Sequence, residues 1–147
     1  MASGAWLRVV VASTAVVVAE GRRNISSGGP FEAAVGYSRA VAIDDSCWVA
    51  GTTDAGPDGR SAHPGDAGAQ ARAILAIAER ALGDAGFGLA DVVRTRMFVV
   101  RPEDIDAVTA AHGEVFLSIR PAATLVLVAG LMDPSFLVEI EFEARRA

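Results

Sequence analysis

The chain of 147 residues has no lysine, a single cysteine and no apolar run long enough to span a membrane. All thirteen cations are arginine, which indicates a GC-rich coding bias rather than a function. The single cysteine, Cys47, excludes a disulfide within the chain and fits a reducing, cytoplasmic location. Because Cys47 lies in the apolar stretch CWVAG, we expect it to be a buried thiol of the core.

Basic charge is also scarce. The 13 arginines are outnumbered by 18 aspartates and glutamates, so the net charge is −5. This balance argues against nucleic acid as a partner, because general nucleic-acid binding needs a basic face. Cysteine and histidine do not cluster at metal-ligand spacing, so no metal is predicted. We expect His63 to be solvated in a loop and His112 to be structural, since it falls in the apolar stripe of a helix.

The apolar stretch at residues 9–19 allows two interpretations. It resembles the hydrophobic region of a signal peptide, but Arg8 is the only cation before it. Its valine and threonine content favours an added β-strand or hairpin. Residues 22–33 are rich in glycine, serine and asparagine and are predicted to form a loop. We therefore expect an N-terminal extension at residues 1–27 and one domain at residues 28–147.

The first half of the domain predicts a hairpin and a helix. Two apolar stretches, YSRAVAID and SCWVAGT, flank a polar turn at Asp44 and Asp45. A long loop of glycine, proline and aspartate follows, and Asp66 is a plausible N-cap for the next element. Apolar residues then recur at three- and four-residue intervals from Ala71 to Leu82, which is typical of one buried helix face.

The second half predicts a strand, a helix and two further strands. The stretch DVVRTRMFVV alternates as a strand does, and Pro102 then opens a helix with an apolar stripe over residues 105–116. Two apolar strands flank a turn at residues 133–135. The element order is thus ββαβαββ, which predicts an α+β domain whose single sheet is covered on one face by both helices.

Alternation along the strands predicts which residues share a face. In the last strand, three glutamates alternate with apolar residues that must face the helices, so the glutamates are expected on the open face. We expect the arginines of the strand DVVRTRMFVV to meet those glutamates, with two leucines on the same face, and a second subunit to cover it. The predicted open face is Arg94, Arg96, Phe98, Leu125, Leu127, Glu139, Glu141 and Glu143, and the predicted covered face is Val93, Thr95, Met97, Val99, Val138, Ile140 and Phe142.

Six stretches in this order resemble the Rid (YjgF) family, the reactive intermediate deaminases. They are GYSRAV, VAGTT, AQARAILAIAERALGDAG, ADVVRTRMFV, RPAAT and VEIEFEARR. No single stretch is specific, but together they cover residues 28–146 at the family's spacing. The resemblance implies a chorismate mutase-like fold and a homotrimer whose sheets surround a central barrel, with small-molecule clefts between subunits. It also implies hydrolysis of reactive enamines and imines to carbonyl compounds and ammonia, without a metal or organic cofactor, and no membrane partner. Some members are labelled ribonucleases, which the acidic charge of this chain does not favour.

The resemblance also implies a set of site residues. Tyr37 matches the family's cleft tyrosine, Gly51 matches its backbone-contacting glycine, and Glu139 matches the glutamate that positions the attacking water. Thr52, beside Gly51, offers a neutral hydroxyl to the same cleft. We take Tyr37 and Glu139 as the catalytic candidates.

Two positions depart from the family pattern and mark the chain as a divergent member. The family's carboxylate-binding arginine is replaced by Ala123, and an acidic residue farther along the same strand is replaced by Leu127. A guanidinium is the strongest anchor for a ligand carboxylate, so the loss bears directly on substrate binding.

Three hypotheses remain open. Tyr37 and Glu139 perform acid–base chemistry on an imine, enamine or activated carbonyl compound less anionic than the usual amino-acid-derived imine. Alternatively, Arg39 or Arg120 replaces the missing arginine. In the third hypothesis the protein is a non-catalytic ligand binder or assembly partner, in which Tyr37 packs and Glu139 pairs with an arginine.

Overall fold

The computed structural model describes residues 7–11, 14–18 and 20–147, with side chains from residue 20 onward. Strands β1 (Leu7–Val11) and β2 (Thr14–Val18) pair antiparallel in a sheet of their own. This agrees with the strand preference of the valine-rich N-terminal stretch.

A six-stranded sheet forms the body of the domain, in the order β3-β4-β5-β8-β6-β7. Neighbouring strands are antiparallel except β6 and β7, which are parallel and are connected by a helical crossover. The strands are β3 (Arg22–Ile25), β4 (Ala40–Ile43), β5 (Ser46–Thr52), β6 (Val92–Val99), β7 (Ala122–Leu127) and β8 (Val138–Arg145).

Two long helices cover one face of this sheet, as predicted. They are α2 (Ala67–Asp84) and α3 (Ile105–Phe116), the latter preceded by a 3₁₀ turn at Pro102–Asp104. The carboxylate of Asp66 accepts a hydrogen bond from the Ala69 N–H and caps α2. The six predicted core positions of α2 are buried: Ala71, Ile74, Leu75, Ala78, Ala81 and Leu82. The helix–sheet contact is therefore the core of the domain.

The predicted loop at residues 22–33 is wrong in two places. Strand β3 pairs with β4 along its whole length, and a short helix α1 (Pro30–Val35) follows. Pro30 opens α1, and Gly36 ends it with a φ of 84° in the left-handed region. Both elements are too short for apolar periodicity to mark them, and β3 is a mostly exposed edge strand that forms because β4 is there to pair with it.

The alternation predicted for β8 is confirmed. Val138, Ile140 and Phe142 are buried against the helices, and the three glutamates between them lie half-buried on the open face. In β6, Val93 departs from its predicted face because the register against β8 shifts between Val92 and Arg94. This β-bulge buries Val92 and leaves Val93 exposed.

The predicted face of β7 is also wrong. Leu125 pairs with Met97 and Leu127 pairs with Val99, and paired residues of parallel strands point to the same side of the sheet. The two leucines are therefore on the helix face, where Leu125 packs against the core. Both faces of β7 are mainly apolar, because Thr124 is its one polar residue, so alternation alone left its orientation undetermined.

The long loop between β5 and α2 is fastened by a buried carboxylate. Asp54 accepts hydrogen bonds from the Ser61 hydroxyl (2.8 Å) and the His63 N–H (3.0 Å), and His63 Nδ1 lies 3.1 Å from the same oxygen. The amide of Gln70 joins this loop to the segment before β8 through the Ser135 carbonyl (2.9 Å). His63 is exposed in the loop, as predicted, and also bonds to Asp54. The loop network holds β5 and β8 at the ends that carry Gly51 and Glu139.

Candidate functional site

Two of the three open-face glutamates are paired with arginines. Arg96 donates to Glu141 (2.8 Å) and to Glu143 (2.9 Å), and Arg94 lies 3.9 Å from Glu143. Arg94 is directly opposite Glu143 and Arg96 directly opposite Glu141 in the ladder between β6 and β8, and Arg96 reaches Glu143 diagonally, so the cross-strand register creates the ion pairs. The prediction that the arginines of β6 meet the glutamates is confirmed for Glu141 and Glu143.

Glu139 has a different environment. Its partner on β6 is Phe98, and on its other side it lies against Gly51 of β5. An added Cβ at Gly51 would be 2.1 Å from Glu139 Oε1, so the carboxylate occupies the space that any side chain there would need. Burial raises the pKa of Glu139. The negative charge of Glu141 acts in the same direction, and the nearby Arg39 guanidinium acts against it.

Arg39 is held beside the same glycine. Its Nη1 donates to the Gly51 carbonyl (3.1 Å) and to the Thr52 hydroxyl (2.7 Å), which in turn donates to the Ala50 carbonyl (2.8 Å). Its Nη2 lies 3.4 Å from the Tyr37 hydroxyl, and the guanidinium carbon is 5.6 Å from the centre of that ring. Arg39, Thr52 and Tyr37 thus form one hydrogen-bonded cluster around the backbone of Gly51.

Tyr37 is positioned by α1, the helix that the sequence did not reveal. The Tyr37 N–H donates to the Glu32 carbonyl (3.1 Å) at the end of that helix. The buried Glu32 carboxylate accepts bonds from the Ser26 hydroxyl (2.6 Å) and the Ser27 N–H (2.9 Å). Burial acts to raise the pKa of Glu32, but these serine hydrogen bonds outweigh it and leave the pKa lowered. Glu32 is a structural residue of the site that sequence reasoning missed, although Pro30 and Gly36 are recognisable helix start and stop signals.

The three candidates on or before β7 lie apart from this cluster within one chain. Strand β6 separates β7 from β8, and Ala123 pairs with Thr95, which is opposite Phe142 rather than Glu139. Arg120 precedes β7 at a φ of 56° and is exposed. Leu127 reaches the Glu139 end of the sheet but lies on the helix face, so one chain does not bring these three residues to the cluster.

A groove of about 420 Å³ crosses the open face of the sheet and ends at Tyr37. Glu139 and Arg39 do not line it, so Tyr37 is the side chain through which the groove meets the cluster. Trp48 is 44% exposed above the groove, which is a large aromatic surface to leave in water. Its lining includes Arg22, Asn24, Tyr37, Trp48, Arg96 and Glu141.

An α+β sheet with two helices on one face, together with a tyrosine and a glutamate that flank a strand glycine, defines a small Rid-like domain. Residues 29–146 match the family described as "Endoribonuclease L-PSP", and the chain belongs to this family. Two relatives support this assignment. The chain is 39% identical over 130 residues to the uncharacterised protein SCO2049 of Streptomyces coelicolor, covering 88% of this chain and 96% of that protein. It is 34% identical over 104 residues to the 3-aminoacrylate deaminase RutC of Acinetobacter baylyi, covering 71% of this chain and 82% of that protein.

Solved structures show the same fold. Rv2704 of Mycobacterium tuberculosis, a member of the YjgF/YER057c/UK114 family, is 46% identical with a TM-score of 0.77, covering 85% of this chain and 99% of that one. The YjgF gene product of Escherichia coli is 28% identical with a TM-score of 0.68, covering 84% and 94%. The resemblance to the Rid family and the chorismate mutase-like fold are thereby confirmed. At the level of the family, this supports a deaminase-like or small-molecule-binding function. Among residues 7–11, 14–18 and 20–147, no helix has the length and apolarity to cross a bilayer.

Proposed function

We propose that this protein hydrolyses an imine, enamine or activated carbonyl compound other than the usual amino-acid-derived imine by acid–base chemistry, with Glu139 and Tyr37 as its catalytic residues. The observation that carries the proposal is the contrast between Glu139 and its neighbours: its carboxyl group is half-buried, has no arginine opposite it in the ladder, and has a raised pKa. Such a group is a stronger base than an ordinary carboxylate, and proton transfer by a positioned side chain contributes about 10²–10⁴-fold to a rate.

The proposed reaction begins with water held beside Gly51. Glu139 takes a proton from that water as the water oxygen bonds to the carbon of the protonated imine, and the carbon–nitrogen double bond becomes a single bond to a neutral amine. Glu139 then gives the proton to the amine nitrogen. It takes the hydroxyl proton as the carbonyl forms and the carbon–nitrogen bond breaks, and the products are a carbonyl compound and ammonia, which leaves with that proton as ammonium. An enamine first accepts a proton at carbon to become the protonated imine. The Tyr37 hydroxyl orients the water or the nitrogen, and Gly51, which has no side chain, leaves room for the Glu139 carboxylate.

The same proposal includes a cytoplasmic homotrimer with ligand clefts between subunits. The exposed Trp48, the half-buried ion pairs and the groove that ends at Tyr37 make the open face of the sheet suited to burial against another copy. A second subunit is also what would bring Ala123 and Leu127 near a Glu139 cluster. Light scattering at micromolar concentration is expected to give three times the chain mass of 15.1 kDa. A monomer would contradict the intersubunit cleft.

Ala123 supports a second candidate function, a non-catalytic ligand-binding or assembly protein. A short apolar side chain stands where the family pattern has a carboxylate-binding arginine, so a ligand has lost one anchor.

Ammonia release distinguishes the two candidates. A flavin-dependent amine oxidase generates imines in the assay, and semicarbazide competes for them, so catalysed hydrolysis appears as faster ammonia release and less semicarbazone. We expect acceleration by the native protein. If imines, enamines and activated carbonyl compounds all remain unaffected while small molecules still raise the melting temperature, the binding function replaces the catalytic one.

A further inference from the structure

Arg39 presents an unused carboxylate-binding edge beside Glu139. Its anchoring bonds to the Gly51 carbonyl and the Thr52 hydroxyl both start from Nη1. On the opposite edge, formed by Nε and Nη2, the described residues supply one long contact, from Nη2 to the Tyr37 hydroxyl at 3.4 Å. The guanidinium is therefore anchored through Nη1, and the edge formed by Nε and Nη2 is available to a ligand.

Two other arginines of this chain show what that edge binds. Arg72 holds Glu114 through Nε (2.9 Å) and Nη2 (2.7 Å). Arg101 holds Asp104 in the same way, through Nε (2.6 Å) and Nη2 (2.9 Å). In both pairs the planar fork matches the two oxygens of a carboxylate. Arg39 has the same fork without a carboxylate partner among residues 20–147.

The surroundings of Arg39 leave its charge available. Glu139 influences it electrostatically, but the two form no ion pair within 4.0 Å in the described part of the chain. Glu32 also acts on it at longer range, while its own oxygens bind Ser26 and Ser27.

We infer that Arg39 is the carboxylate-binding residue of this site and grips the ligand's anionic group from β4, on the side of the sheet away from β7. This inference rests on the proposed function for its location beside Glu139. The Tyr37 hydroxyl lies at the same edge of the guanidinium, so an anion held there directs the ligand's reacting carbon toward Glu139. The replacement of the family's arginine by Ala123 then changes the side from which the anion is bound, and anion binding is retained.

Calorimetric titration with two probes tests this inference on the native assembly. The probes are 2-oxobutanoate, which carries a carboxylate, and 2-oxobutanamide, its neutral analogue of the same shape. We expect Arg39→Gln to weaken 2-oxobutanoate binding about 10- to 100-fold and to leave the amide within about threefold, because the variant removes a two-bond ion pair from one probe alone. Arg39→Lys keeps the charge without the fork and is expected to fall between the two.

Arg120→Gln is the matched control, since it removes the other arginine suggested as a replacement. It should leave both affinities unchanged, and circular dichroism should show that every variant is folded. Equal losses for the two probes in Arg39→Gln would mean that Arg39 only supports the backbone of Gly51 and would overturn the inference. The inference also fails if wild type does not bind 2-oxobutanoate, or if Arg120→Gln produces the selective loss.

The ammonia assay separates this result from the proposed function. Selective, Arg39-dependent binding without ammonia release would retain the anion site and reject catalysis. Ammonia release with binding that ignores the carboxylate would retain catalysis and reject Arg39 as the anion-binding residue.

Discussion

Glu139 and Glu143 lie on the same face of the same strand, four residues apart, and yet their surroundings have little in common. Glu143 is paired with Arg96 and approached by Arg94, both supplied by β6. Glu139 has Phe98 opposite it on β6 and a glycine on its other side. One end of β8 therefore holds its charge in partly solvated ion pairs, and the other end desolvates a carboxyl group.

This difference shows that the neighbouring strands, rather than β8 itself, decide what each glutamate does. Exposed ion pairs contribute little to stability and keep their carboxylates bound to arginines. A desolvated carboxyl group outside such a pair holds its proton more tightly and is available for proton transfer. The contrast between the two glutamates makes four predictions, which run from the largest expected effect to the smallest.

Glu139→Gln should remove most of the turnover. The amide has nearly the same shape but cannot exchange a proton, so kcat for ammonia release is expected to fall about 10²–10⁴-fold. The measurement is ammonia release at saturating substrate, with circular dichroism to confirm the fold. Unchanged turnover would place the proton transfer elsewhere.

Gly51→Ala should disable the site and largely spare the fold. The new methyl would take the place of Glu139 Oε1, and the carboxylate is the flexible end of its side chain, so it can rotate away. Misplacing a catalytic group by this much is expected to lower kcat/KM about 10- to 100-fold. Gly83→Ala, in α2, is the control because an added Cβ there meets no atom within 4 Å. Comparable activity losses in both variants would show that the space beside Glu139 is unimportant.

The desolvation of Glu139 should be visible in the pH dependence of stability. Because its pKa is raised in the folded protein, folding binds the proton more tightly, and the corresponding stability is complete below the ordinary carboxyl pKa of 4.5 and is lost as the pH rises through the folded-state pKa. Glu139→Gln lacks this loss. The melting temperature of the variant minus that of wild type should therefore increase as the pH rises above 4.5, and this difference should then become constant. A constant difference across the pH range would contradict a raised pKa.

Glu141→Gln should have the smallest effect. It is the same substitution on the same face of β8, two residues along, and Arg96 keeps its second partner Glu143. We expect kcat within about threefold of wild type and little change in melting temperature, because a partly exposed ion pair contributes little. A loss as large as that of Glu139→Gln would remove the distinction between the two ends of β8.

Helix α2 shows what sequence patterns predict well. Its apolar stripe spans three turns, and Asp66 marks its start, so periodicity and capping agree. Strand β8 was similarly readable, since strict alternation of glutamate with large apolar residues leaves one way to face the core. The family resemblance then pointed to Tyr37, Gly51 and Glu139; Glu139 lies against Gly51, and Tyr37 is joined to that glycine through Arg39.

Strand β7 and helix α1 show where such patterns fail. The face of β7 depends on its register with β6 after a helical crossover, and a one-residue difference reverses it. Val93 depends on a bulge that arises only when β6 meets β8. The six residues of α1 carry too little periodicity to be found, although the helix positions Tyr37 through the carbonyl of Glu32.

The sequence by itself determined the order of the main elements, the covered face of the sheet and the presence of three glutamates on its open side, because these follow from local periodicity. Tertiary structure decided which glutamate is desolvated and which arginine lies beside it. That choice depends on strand order and register: Arg94 and Arg96 of β6 are aligned with one end of β8, while Gly51 and the anchored Arg39 are aligned with the other.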